Sequence, residues 1–202
     1  MKKIEKRSNR LLWISLLLFA LVYVVIIGYY WFFGGYFGDS HLTISAYVGL
    51  RPWSALLFCL TNITVAVLLV AYIYAGVLSQ KFLWRLLMMA FVVAFIGLSI
   101  APRTPFASDS TPVHQFFSHS MFIIIALLAL YAAIVSRSAP ARWVATLVAL
   151  YSLFFIVCYI LNAPFLRNGI LWFESAFVYS FFALIISSNH TARASKASAV
   201  SR

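Results

Sequence analysis

The sequence predicts an all-α protein, a polytopic transmembrane bundle of six spans with both termini in the cytoplasm. Three observations carry that expectation. Of the 202 residues, 64% are hydrophobic and only 9% charged, where a soluble domain has roughly 45–50% apolar and about 25% charged residues. Six apolar runs of near bilayer length, about 20 residues each, use up nearly the whole chain. Lys and Arg collect in alternate connections, which is the pattern that fixes orientation in a membrane.

The runs fall at 11–33, 53–78, 85–101, 113–135, 143–163 and 170–187. Ahead of the first lies a basic segment, 1–10, with Lys2, Lys3, Lys6, Arg7 and Arg10. That order resembles a signal peptide, but the run is too long and ends in Tyr29-Tyr30-Trp31-Phe32-Phe33 without a small-residue cleavage pattern, so it reads as a retained anchor. With the N-terminus inside, twelve Lys and Arg lie on the inner side and three, Arg51, Arg103 and Arg167, on the outer. The six tryptophans, at 13, 31, 53, 84, 143 and 172, all fall near span ends, where an indole ring sits half in apolar surroundings with its N–H at the headgroups. Inner connections are short and suit antiparallel neighbours. The outer ones, 34–52 and 102–112, are longer. Residues 188–202 are rich in Ser and Ala and basic, and read as a disordered cytoplasmic tail.

The net charge of +11 sits in short loops and tails beside apolar runs, so the expected partners are anionic lipid headgroups rather than nucleic acid. Cys59 and Cys158 lie inside spans and have no zinc-type spacing. They read as two buried thiols, although a bond between them is geometrically conceivable. No phosphate-binding Gly-rich loop, H-E-x-x-H or G-x-S-x-G sequence is present. No charged residue falls near the middle of a span, which argues against an ion-coupled pump. Thr61, Asn62 and Thr64 in the second span are read as interhelical hydrogen-bonding groups.

The remaining ionisable groups gather at the outer end: Asp39, His41, Arg51, Arg103, Asp109, His114, His119, Arg167 and Glu174. Glu174 stands about one turn into the last span, where a carboxylate must find a partner or become neutral. By depth, the candidates are His119, Arg103 and Arg167. Thr111-Pro112 is a good helix start and places His114 and His119 in the fourth span. Five residues apart, the two histidines point about 140° away from each other, whereas Ser118 shares the face of His114. A two-histidine clamp on one helix is therefore disfavoured. A site built from several helices stays open, with His114, His119 and Glu174 as acid–base candidates and His41, Asp39, His119 and Glu174 as possible metal ligands.

Thr43-Ile44-Ser45-Ala46-Tyr47-Val48-Gly49 followed by Pro52-Trp53, the segment from Ala101-Pro102 to Ser108-Asp109 followed by His114, and the stretch from Gly169 to Glu174 resemble a six-helix bacterial and archaeal membrane family of unknown function. That family is similar to the eukaryotic FRAG–DRAM–SFK proteins, which are associated with GPI-anchor lipid remodelling, plasma-membrane lipid organisation and autophagy. The resemblance runs from about residue 12 to 188 through short motifs. It implies a multi-pass protein of a prokaryotic plasma or inner membrane and carries over two positions, His114 and Glu174. Members commonly have Ile-Ser-Asp in the first loop, where this chain has Ala46.

Two functions follow as expectations. One is a lipid-handling or lipid-modifying protein with a polar pocket at the outer leaflet. The other is a non-enzymatic scaffold, a regulatory partner of another membrane protein or a homo-oligomer, in which the same polar groups only fasten helices together. A solute transporter ranks last, because the polar groups sit at one end.

Overall fold

A computed structural model describes residues 2–37, 42–75, 81–100, 112–136 and 138–200, with side chains described for all of these except 2–9, 75, 167 and 189–200. Eight helices follow in order: α1 (Lys2–Phe32), α2 (Ile44–Gly49), α3 (Pro52–Ala75), α4 (Phe82–Ile100), α5 (Pro112–Val135), α6 (Ala139–Ile160), α7 (Pro164–Asn168) and α8 (Ile170–Val200). Six of them are long and apolar enough to cross a membrane: Arg10–Phe32, Pro52–Tyr74, Phe82–Ile100, Pro112–Val135, Ala139–Ile160 and Ile170–Ser188. In each, fewer than half of the residues are buried within the chain. The outward faces are as apolar as the inward ones, with Leu17, Val67, Ile134 and Leu147 more than half exposed. In water such faces would cost about 25 cal/mol per Å², so the solvent around them is lipid. The chain is a multi-pass membrane protein.

Local chemistry explains where the helices start and stop. Ser138 Oγ accepts the Ala141 N–H at 3.4 Å and Pro140 occupies the first turn of α6. Together they start this helix four residues before the apolar run at 143–163. It ends at Ile160 because Asn162 takes a left-handed φ of 53°, a conformation Asn tolerates better than most residues. Chain reversal there leads into the single turn α7, with Pro164 at its start. At the far end, α8 continues past its span to Val200, where composition predicts a disordered tail. The physical reason lies in Ala, Arg and Lys, which are good helix formers, added to a helix already nucleated by the span.

The spans form a ring in chain order. Backbones pack closely between α1 and α3, α3 and α4, α4 and α5, α5 and α6, and α6 and α8. Closure between α8 and α1 is made mainly by side chains: Phe19 meets Tyr179 and Phe182, and the Tyr23 hydroxyl bonds the Ser175 hydroxyl. Aromatic rings fill the axis. Phe91 of α4 stacks on Phe181 of α8 with ring centres 3.9 Å apart, and Phe122, Phe155 and Phe177 tie α5, α6 and α8 together. Because the spans alternate in direction, the start of α1 and the end of α8 lie at one end of the ring. The short helices α2 and α7 lie at the other, called here the α2 end.

Polar groups within the spans behave in two ways. Asn62 of α3 donates to Ser99 Oγ of α4 at 2.7 Å, an interhelical tie as expected, whereas Thr64 turns back to the Leu60 carbonyl of its own helix at 2.8 Å. Cys59 and Cys158 are free thiols, the first half-buried and the second buried. Of the tryptophans, Trp13, Trp143 and Trp172 are exposed near span ends, but Trp84 is buried and lies against Tyr131, so it packs helices and does not face headgroups.

Close packing of α4 on α5 depends on Gly97. A Cβ at this position would collide with the ring of Phe117. Gly97→Ala is expected to destabilise the bundle by about 1–3 kcal/mol, and Phe117→Ala should cost less in the Gly97→Ala background than in the parent, because the new methyl occupies the vacated space. Thermal melting of the two single variants and the double variant in one detergent checks this, and equal melting of the Gly97→Ala and parent proteins would show that Phe117 swings aside without cost.

Candidate functional site

The site begins with α2, a helix of six residues in the connection between the first two spans. Thr43 caps it, accepting the Ala46 N–H at 3.1 Å, and Ile44, Tyr47 and Val48 fall at i, i+3 and i+4, the spacing of an inward apolar face. That face is buried completely enough to make α2 part of the core: Tyr47 is 0% exposed and Val48 2%. Three spans hold it. Trp31 of α1 donates its indole N–H to the Tyr47 hydroxyl at 3.0 Å. Ser54 of α3 donates to the Val48 carbonyl at 2.8 Å and is bonded to the Tyr30 hydroxyl at 2.9 Å. From α8, the Glu174 carboxylate accepts the Ile44 N–H at 2.9 Å.

The sequence pairs Glu174 by depth with His119, Arg103 or Arg167. The structure gives it a main-chain donor from the connection, while Arg103 and the side chain of Arg167 lie outside the described residues. The exchange suits both groups. A carboxylate among apolar side chains needs donors, and the first amides of a helix have no acceptor of their own.

Beneath α2 lies a cavity of about 50 Å³, enough for roughly three water molecules. Its roof is Ile44, Ser45 and Val48, and its walls come from α1, α3, α4, α5 and α8. His114, Ser118 and Glu174 all line it. His114 is buried, 5% exposed, so a titratable ring has been turned inward from the first turn of α5 rather than toward the headgroups. Below the polar groups the walls become aromatic and thioether, with Phe19, Phe95, Phe122 and Met121. A second, wholly apolar space of about 10 Å³ continues down the axis, sharing Phe19, Phe95, Met121 and Val178 with the first. The hollow is therefore polar near α2, apolar at depth, and blocked on the axis by the stacked Phe91 and Phe181.

Of the five residues singled out from the sequence, the structure brings together His114 and Glu174. His119 lies elsewhere: it is exposed and packs edge-on against Tyr159 of α6, ring centres 5.4 Å apart. This follows from the angle of about 140° between residues five apart on a helix, and it takes His119 out of any common site with Glu174. Asp39 and His41 lie outside the described residues, as do Arg103 and Asp109. Among the described residues, no three His, Cys, Asp or Glu side chains come together to hold a metal ion. Ser45, at the second residue of α2, also lines the cavity. Its signal was the Thr43 cap with the 44, 47 and 48 spacing, which marks a buried helix and not a loop.

No family model, curated protein or solved structure matches the chain.

The Glu174 bond to α2 can be tested directly. Glu174→Ala removes the acceptor of Ile44 and is expected to cost about 1–3 kcal/mol. Amide hydrogen exchange across 44–48 should accelerate much more than exchange in α4 or α5. Glu174→Gln, which keeps an acceptor oxygen, should protect α2 better than Ala does. Uniform exchange changes over all helices would mean that the bond does not fasten α2 in particular.

Proposed function

We propose that this chain is a lipid-handling membrane protein, in which the cavity under α2 receives the polar end of an amphiphile. The observation that carries the reading is the shared placement of His114 and Glu174. Ionisable groups are costly at the depth of a span, yet both open onto one hollow whose deeper walls are apolar. A ligand with a polar head and a hydrocarbon body matches that gradient, as ligand sites generally pair apolar walls with a few placed polar groups. The excess of Lys and Arg on the opposite connections orients the α2 end outward by the positive-inside rule, which makes the outer leaflet the source.

The chemistry of the lining narrows the head. Among the described residues, the cavity presents a carboxylate, an imidazole and two hydroxyls, and neither Lys nor Arg lines it. The Glu174 carboxylate and the two serine hydroxyls supply hydrogen-bond acceptors on that wall. A head that donates hydrogen bonds, such as a hydroxyl or an amine, fits the acceptors that are there. His114 is the group able to move a proton to or from such a head, and Ser45 or Ser118 can orient it.

Native mass spectrometry of the purified protein, offered a monoacylglycerol, a long-chain amine and a phosphatidic acid, provides the test. Retention of the monoacylglycerol or the amine over the phosphatidic acid is expected. His114→Ala and Glu174→Gln should each weaken that retention about tenfold, the effect of losing roughly 1.4 kcal/mol of binding, while melting stays near that of the parent. A second reading draws on the Glu174 bond to Ile44, which by itself accounts for the carboxylate as a fastening of α2 in a scaffold. In that case no amphiphile is retained and the two variants only melt earlier.

A further inference from the structure

We infer that the seam between α1 and α8 is the lateral entrance by which a lipid passes from the bilayer into the cavity, with Tyr23, Ser175 and Tyr179 as its gate. This rests on the lipid-handling reading above. A route into the cavity has three directions to choose from. Along the axis the way is blocked below by Phe91 stacked on Phe181. Above, α2 is tied to α1, α3 and α8 by separate hydrogen bonds. Sideways, consecutive spans pack backbone against backbone, and closure between α1 and α8 is the exception, bridged mainly by side chains.

The chemistry of that bridge suits opening. Tyr23 and Tyr179 meet edge to face with ring centres 6.2 Å apart, both are half-buried, and both rings lie against Phe19, a residue of the cavity wall. Tyr23 bonds the Ser175 hydroxyl, and Ser175 also donates to the Leu171 carbonyl of its own helix. Ser175 therefore keeps a hydrogen bond when Tyr23 swings away. The residues behind the gate are already cavity wall: Phe19 on α1, and Glu174 and Val178 on α8. An amphiphile entering here would bring its head to Glu174 before any other ionisable group on the described wall. Side-chain rotation of two tyrosines is a smaller change than undocking α2 or separating two closely packed helices.

The experiment uses the full chain with Cys59→Ala and Cys158→Ala, carrying Tyr23→Cys and Tyr179→Cys and bridged by a short bis-methanethiosulfonate, which forms a disulfide with each thiol, releases sulfinate and is cleaved by reductant. The protein is loaded with deuterated monoacylglycerol, and exchange against unlabelled lipid is followed by native mass spectrometry. Bridging should slow exchange at least about tenfold, as closing a gate does, and reductant should restore it in the same sample. A bridge between Tyr29→Cys and Trp53→Cys, which joins α1 to α3 where the parent rings lie 4.9 Å apart, should leave exchange unchanged. Equally fast exchange with the α1–α8 bridge in place would overturn the entrance while leaving the lipid reading intact. Failure of the unbridged protein to bind monoacylglycerol at all would overturn the lipid reading, and the entrance with it.

Discussion

The hydrogen bond from the Ile44 amide to Glu174 solves two problems that a membrane makes severe. Irregular backbone at membrane depth must find partners within the protein, since lipid supplies none. A carboxylate one turn into a span has the complementary need. By meeting each other, the two groups let α2 lie as a roof on the bundle and let a carboxylate remain beside an apolar hollow. Remove the bond and the roof keeps Trp31 and Ser54 but loses its hydrogen bond to the sixth span, the helix that completes the ring.

The rest of the architecture follows from having six apolar cylinders and few polar anchors. Lipid offers no hydrophobic driving force between helices, so association relies on packing, small-residue approach and isolated hydrogen bonds. The chain supplies these in an uneven pattern. Gly97 lets α4 approach α5 closely, and Asn62 with Ser99 pins α3 to α4. Where α8 meets α1, bulky tyrosines and phenylalanines hold the backbones apart. Close packing and loose closure in one ring create a hollow with a preferred side.

Much of this was legible in the sequence. The spans were, because about 20 consecutive apolar residues admit few other readings. The divergence of His114 and His119 was also legible, since angular spacing on a helix is fixed by geometry. Other features required tertiary context. Glu174 clearly needed a partner, yet a main-chain amide from a distant connection carries no side-chain signature to look for. The turn α2 did have a signal in Thr43 and the 44, 47 and 48 spacing, but six residues are too few to stand out among longer apolar runs. Trp84 follows the positional pattern of an interfacial residue and is nonetheless buried against Tyr131, because position along a span does not say which way a helix face is turned.

The order of helices around the ring has a consequence for biosynthesis. Each span packs on the one made just before it, so the bundle can grow by successive docking as segments leave the ribosome, with little long-range search of the kind that slows folding. One contact has to wait. Until α8 is inserted, the chain is an open crescent, the Ile44 amide lacks its carboxylate, and the hollow faces lipid along its length. The sixth span, made after the other five, both closes the wall and secures the roof, which makes its arrival the moment at which this membrane protein acquires an inside.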